Sequence, residues 1–387
     1  MSGATPLEAL FDSLGVFDSF DEFAHGVAGG KAGPQAPVRP GLPGRSNSAG
    51  KGRSGRARNV ISRVTRKVPE VMVKVSSVGK QAGRVWAHLT YITRNGQIEA
   101  ENDEGEILSG LDDMKEINEH WSQQIGKRRS NGKQTVNMVL SMPVGTNPER
   151  LKEAARAFAK EAFANHEYLF VLHTPETDPD ENAPPHPHVH MCVKARGKDG
   201  RRLVHGRAEL QEWREIFAEQ LRARGIEAAA TPRNVRGIVK KAVRQPVYQA
   251  AKANRSTVKE SAIRDAARAV LDNRADARPW EQAIAERQAT IRAGWTALAD
   301  VLDKSSVAGD AALAKQVREF LRDMPAPLTQ QQEREQRMRE TLRKRAAQAE
   351  KQATNEQGQG ATGTTLARPA VKPAQSPAKP DKDYDRD

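Results

Sequence analysis

Four of the nine histidines of this chain fall within His173–His190, which reads HTPETDPDENAPPHPHVH and runs into the apolar MCV. Three of them, His186, His188 and His190, alternate with Pro187 and Val189. On a strand, side chains two residues apart share a face, so HPHVHMCVKA puts His188 and His190 side by side. Two such imidazoles can share one divalent cation, with His173, at the end of an apolar run, as the third ligand. Three nitrogen ligands with open positions describe a catalytic rather than a structural metal site. The plain alternative is a solvated, His-rich turn, and the apolar strand around the pair weighs against it.

These residues need a scaffold, and the pattern supplies one from about Val68 onward. VMVKVSSV (71–78) alternates as a strand, and GRVWAHLTYITRNG then carries Val85, Leu89 and Ile92 at helical spacing, with Asn95-Gly96 as a left-handed stop. Tyr91 therefore sits near the end of a helix that directly follows the first strand. A helix over 111–125 and a strand over 133–145 come next. A further helix starts with Asn147 as N-cap and Pro148 at its first position. YLFVLHT (168–174), the His strand, a turn at GKDGRR and a helix from about Ala208 to Ala223 complete the order β-α-α-β-α-β-β-α. That order predicts an α+β fold with helices packed on one sheet.

Outside this core the chain changes character. Residues 26–58 are rich in Gly, Pro, Ser and basic side chains, and the segment from about Lys351 offers almost nothing to bury, so both read as disordered arms. An acidic-aromatic piece, Pro6–Phe23, reads equally as a frayed amphipathic helix or as a peptide for a partner. The formal net charge of +13 points to a polyanionic partner. No stretch approaches the length of a membrane span and the N-terminus lacks the regions of a secretory signal, so a cytoplasmic protein is expected. The single cysteine, Cys192, fits a reducing compartment and a packed position. Residues 252–324 read as charged helices forming a small bundle. QQQEREQRMRETLRKRAAQAEKQ reads as an exposed helix or basic tail. The expected divisions are 1–67 (N-terminal peptide and basic arm), 68–250 (catalytic core), 251–325 (helical accessory region) and 326–387 (charged helix and tail).

Three stretches, HLTYITRNG, VNMVLSMPVGT and H…HPHVHMCVKA, together resemble the ordered motifs of conjugative relaxases. These are the HUH-type nicking enzymes, and the MobP group that includes the T-DNA border endonuclease is the nearest likeness. The resemblance covers roughly Val68–Tyr248, with RNVRGIVKKAVRQPVY at its end. It implies a relaxase domain with a central antiparallel sheet flanked by helices. It also implies Tyr91 as nucleophile, Ser141 as a residue beside the bound DNA, and His173, His188 and His190 as the metal triad. The family's short H-x-D spacing is replaced here by HTPETDPDENAPP. Asp178 is taken as the counterpart of that Asp, with Asp180 the other choice, and His186 joins Asp178 as a second-shell or base candidate. Arg84 and Arg94 flank the Tyr helix, and Lys194 and Arg196 follow the metal strand; all four are candidate phosphate contacts.

The chemistry can be argued apart from the likeness. Cutting a phosphodiester while conserving its energy requires a covalent intermediate, which a Tyr oxygen can form. A divalent ion on neutral imidazoles keeps its full charge for an anionic phosphate. By family analogy the cofactor is Mg²⁺ or Mn²⁺, though three His also suit Zn²⁺. The implied partners are single-stranded origin-of-transfer DNA, relaxosome accessory proteins, and the type IV coupling protein and secretion machinery. The function expected is site- and strand-specific nicking at a plasmid transfer origin, in a bacterial cytoplasm, with translocation of the protein attached to DNA. Two rivals are a rolling-circle replication initiator and a noncatalytic DNA-binding protein. Initiators usually place the Tyr after the His pair, and a degenerate binder would not need Tyr91 and all three His.

Overall fold

The computed structural model describes residues 51–123, 132–180, 184–240, 243–272 and 278–359. The acidic-aromatic piece, the arm up to residue 50 and the tail beyond residue 359 lie outside the described residues. Ten helices and six strands are formed among the described residues. The core is built on a single antiparallel sheet of β1 (Met72–Gly79), β2 (Ala100–Asn102), β3 (Ile107–Leu108), β4 (Thr135–Ser141), β5 (Tyr168–His173) and β6 (His188–Lys194), in the order β1-β4-β6-β5-β2-β3. The fold is α+β, with helices on both faces of this sheet.

The two faces follow from period-2 alternation along the central strands. Val136, Met138 and Leu140 of β4, Val189, Met191 and Val193 of β6, and Phe170 of β5 point one way. They pack against Leu151, Phe158 and Phe163 in and after α4 (Pro148–Ala162) and Trp213, Phe217 and Leu221 of α5 (Arg207–Ala223). The opposite face carries Leu169, Val171 and Cys192, which pack under Val85, Leu89 and Ile92 of α2 (Ala82–Ile92) and Met114 and Trp121 of α3 (Gly110–Gln123). His188 and His190 share that second face, because they keep step with Cys192. Every residue of β6 is buried, as expected of a strand covered on both sides.

Local chemistry sets the element ends. Asn147 accepts from the Arg150 amide at 3.0 Å, capping α4 ahead of Pro148. At the end of α2 the chain passes through Arg94 (φ 49°), Asn95 (φ 57°) and Gly96 (φ 80°). This left-handed run reverses the chain directly below Tyr91. A Cβ on Gly96 would meet backbone of Gly110 at 2.6 Å, so the turn is also a close approach that only glycine fits.

Two features depart from the expected pattern. The short hairpin β2–β3 extends the sheet beside β5; its turn is held by the Asn102 side chain, which accepts from the amides of Glu104 and Glu106. More substantially, Lys51–Thr65 forms a helix, α1, although the residues before it and its own first residues have the composition of a disordered arm. Ala57, Ile61 and Val64 recur at four and three residues and bury against Ile291, Trp295 and Leu298 of α8 (Pro279–Asp303) and Leu313 and Val317 of α9 (Asp310–Asp323). Arg58 fixes the contact with two hydrogen bonds to the buried Asp310, at 2.7 and 2.9 Å. The apolar stripe is too sparse to register in a composition averaged over Gly and Arg.

The chain forms two compact units that are each discontinuous in sequence. One comprises residues up to Lys241 together with Arg278–Leu328, and so includes the sheet, α1, α8 and α9. The other contains α6 (Gln245–Lys252), α7 (Thr257–Leu271) and α10 (Gln330–Gln359). The expected single accessory bundle over 252–324 is thus divided: α8 and α9 enclose α1, whereas α7 packs with α10. No helix among the described residues is long and apolar enough to cross a membrane.

The Gly96 turn gives a direct test. Gly96→Ala is expected to lower stability by at least about 2 kcal/mol, combining left-handed strain with the clash against Gly110. Urea unfolding of the purified variant measures it, and an unchanged midpoint would contradict the close approach.

Candidate active site

The site is built on register. Antiparallel pairing sets Ser141 opposite His188 across β4 and β6, and His173 opposite His188 across β5 and β6. His190 lies two residues further on the same face. The result is three buried imidazoles with ring centroids 4.7 Å (His173–His190), 5.1 Å (His188–His190) and 5.2 Å (His173–His188) apart. One ligating nitrogen from each can be chosen so that all lie within 4.8 Å of one another. His186, in the loop before β6, lies 5.8 Å from the His188 ring, and its carbonyl accepts from His188 Nδ1 at 3.1 Å. That bond leaves the Nε2 lone pair of His188 for another ligand.

The donor set fits a divalent cation. His190 Nδ1 is buried with no hydrogen-bond partner among the described residues, an expense that a bound ion would remove. Burial pushes His190 down to about 2, aided by the neighbouring His173 and His188, and burial also lowers His188, so both rings are neutral near pH 7, as ligands must be. His173 Nδ1 donates to Asp178 Oδ2 at 2.8 Å, the carboxylate-histidine pairing that orients metal ligands. Its Nε2 donates to the Ile92 carbonyl at 2.6 Å, a bond that an ion on that nitrogen would replace.

Tyr91 stands over this group. Its neighbours Leu89 and Ile92 are fully buried, yet Tyr91 itself is 55% exposed. Its ring meets His190 edge-on at 5.9 Å, and the Arg94 guanidinium lies 5.0 Å from its centroid. Arg84 and His88 precede Tyr91 by seven and three residues and so lie along the same helix face. His88 was expected to be a surface or half-buried residue rather than a ligand. It is half-buried, its Nε2 lacks a hydrogen-bond partner among the described residues, and burial lowers its pKa to about 4. The i,i+3 spacing from Tyr91 was the available clue.

The remaining candidates separate clearly. Asp178, fully buried, bridges His173 to Arg94, whose Nε and Nη2 donate to its two oxygens at 2.7 and 2.9 Å. This pairing holds the Asp178 carboxyl well below the usual range, and Asp180 makes a longer contact to Arg94 at 3.6 Å. Arg94, a candidate phosphate contact, turns its Nε and Nη2 toward Asp178. Lys194, likewise a candidate, is buried and paired with Glu167 at 2.6 Å. The reason is its place in β6: continuing the alternation beyond Cys192 turns it inward. Arg84 and Arg196 are exposed, and Ser141 is buried at the strand end beside His188. Cys192 donates to Asn137 Oδ1 at 3.1 Å, and burial pushes its thiol up to about 12, which suits a packed residue rather than a nucleophile.

A hydrophobe between two histidines on a central strand, a third histidine on the next strand and an exposed tyrosine above them form the arrangement that the sequence resemblance anticipated. Residues 91–226 match the family described as Relaxase, MobA/VirD2-like, nuclease domain, so this part of the chain carries a relaxase-type nuclease domain. The match covers roughly a third of the chain, begins on Tyr91 and includes all of the candidate site residues except Arg84. No curated protein matches the chain.

The buried neutral rings predict a pH dependence. His88 and His190 have folded-state values below the unfolded value near 6.5, so the unfolded chain binds more protons, and their contribution to stability is complete above that value and lost as pH falls toward the folded ones. Each such group is expected to cost up to about 1.4 kcal/mol per pH unit below 6.5. Urea midpoints of chelator-treated protein should fall between pH 7 and pH 5, and His88→Gln should flatten that slope. A slope unaffected by the substitution would show that His88 is not held neutral.

Proposed function

We propose that this relaxase nicks one strand of a plasmid origin of transfer through a covalent 5′-phosphotyrosine on Tyr91, starting conjugative transfer or mobilisation. The observation that carries the reading is the exposed Tyr91 ring set edge-on against His190, over three convergent imidazoles. Tyr91 Oη attacks the scissile phosphorus and its proton leaves. The Tyr–O–P bond forms as the P–O3′ bond breaks, and the departing oxygen takes up a proton as a free 3′-OH. The phosphodiester energy stays in the phosphotyrosine, so the same 3′-OH can reverse the step. His173, His188 and His190 would hold a divalent cation, Mg²⁺ or Mn²⁺ by analogy and Zn²⁺ by donor type, which polarises the phosphate and offsets its charge in the transition state. His173 is oriented for this by Asp178, and His188 by the His186 carbonyl.

Arg84, exposed on the Tyr91 face of α2, and Arg196, exposed beyond β6, would hold the flanking phosphates. Ser141, opposite His188, would lie beside the nucleotide next to the cut. The partners are single-stranded origin DNA, relaxosome proteins and the type IV coupling machinery, which would carry the linked strand and protein out of a bacterial cytoplasm. The precedence of Tyr91 over the His pair in the chain favours this reading over a rolling-circle initiator.

Labelled origin oligonucleotides incubated with Mg²⁺ or Mn²⁺ are expected to give a protein-linked product on a denaturing gel. The product should vanish with chelator and in Tyr91→Phe, while that variant keeps oligonucleotide affinity within about twofold, since only the nucleophilic oxygen is removed. An adduct that survives Tyr91→Phe would assign another nucleophile. Binding without any adduct, across metals, would leave a DNA-binding protein.

A further inference from the structure

We propose that Arg94 is a positioning residue that joins the three-histidine group and Tyr91 into one rigid unit, rather than a phosphate contact. This rests on the reading of Tyr91 as nucleophile and the histidines as cation ligands. One guanidinium serves both halves of the site. On one side its Nε and Nη2 grip both oxygens of Asp178, whose Oδ2 in turn accepts from His173 Nδ1. On the other side Nη1 donates to the Tyr91 carbonyl at 3.3 Å, and the plane lies 5.0 Å from the Tyr91 ring centroid. The path Tyr91–Arg94–Asp178–His173 therefore runs through direct contacts, and Arg94 is only 13% exposed along it.

The backbone supports this role. Arg94 adopts φ 49°, uncommon for a non-glycine residue, and the left-handed turn folds its side chain back over the residue three positions earlier. Only arginine combines a planar fork for a carboxylate with a flat cation for an aromatic ring; a lysine ammonium, as a point charge, can satisfy one of these at a time. A cation spent in this way has its carboxylate-facing edge already taken. It fixes the His173 ring toward the ion and the Tyr91 ring above it, so that disturbing one disturbs the other.

The test compares full-length wild type with Arg94→Lys, Asp178→Asn and the double variant. Mn²⁺ uptake is read by calorimetry, oligonucleotide binding by fluorescence anisotropy, and adduct formation in single turnover with metal and DNA saturating. Each single variant is expected to weaken Mn²⁺ binding by about tenfold, with oligonucleotide affinity within about twofold, and the double variant is expected to be no weaker for Mn²⁺ than Asp178→Asn alone. Arg94→Lys should also slow adduct formation at saturating metal, because Tyr91 loses its own support. If Arg94→Lys fails to fold, Arg94→Asn replaces it, since asparagine tolerates a positive φ. Lost oligonucleotide affinity with intact Mn²⁺ binding would overturn the proposal in favour of a phosphate clamp, as would additive effects in the double variant. Wild-type protein that takes up no Mn²⁺ would overturn the cation-site reading itself, and the proposal with it, before any variant is compared.

Discussion

The pairing of β5 with β6 is the constraint on which the site depends. With His173 opposite His188, and Val171 opposite His190, strand pairing rather than the sequence between the strands sets where the three histidines meet. Slipping β6 by one residue would turn His188 and His190 into the Phe158 and Phe217 side of the sheet and bring Val189 and Met191 under α2. That slip is opposed twice, because β6 is hydrogen-bonded along its whole length to β4 as well. A fully buried strand with different chemistry on each face has one acceptable register. The precision of the ligand group is therefore a property of the two hydrophobic cores.

The same logic places Tyr91. Val85, Leu89 and Ile92 bury α2 on the polar face of the sheet, and Ile92 also lends its carbonyl to His173. A helix advances about 100° per residue, so anchoring Leu89 and Ile92 inward turns Tyr91 outward. Tyr91 is thereby left more than half exposed, edge-on to His190. The left-handed turn through Arg94, Asn95 and Gly96 then ends the helix before it could cover the histidines.

Much of this was legible because it is local. The His-x-His spacing, the helical repeat of Val85, Leu89 and Ile92, and the Asn147-Pro148 start each express a periodicity or a cap within a few residues. What could not be read depends on partners far along the chain. Arg94 looked like a phosphate contact because nothing near it signals Asp178, 84 residues away, as its partner. Lys194 looked available because Glu167 lies on another strand's approach. Helix α1 was hidden for a related reason: its three buried residues matter only once α8 and α9, more than 200 residues later, supply something to bury against. Even its charge has a distant answer, in Arg58 with Asp310.

The charges of the site carry the last step. Three imidazoles close together cannot all bear protons in a buried setting, and burial holds His190 and His188 neutral. Asp178 and Arg94 cancel one another beside them. With an ion in place of the hydrogen that His173 Nε2 gives to the Ile92 carbonyl, the pocket is close to electrically neutral in its own side chains, an unpromising place for a phosphodiester despite the +13 of the whole chain. Long-range attraction by the basic chain can bring DNA to the surface, but it cannot by itself stabilise charge at the scissile phosphate. A divalent ion on the three nitrogens would supply the missing positive charge at the point of reaction. Such a division would separate holding DNA from cutting it, and would make cutting conditional on the ion in a way that binding is not.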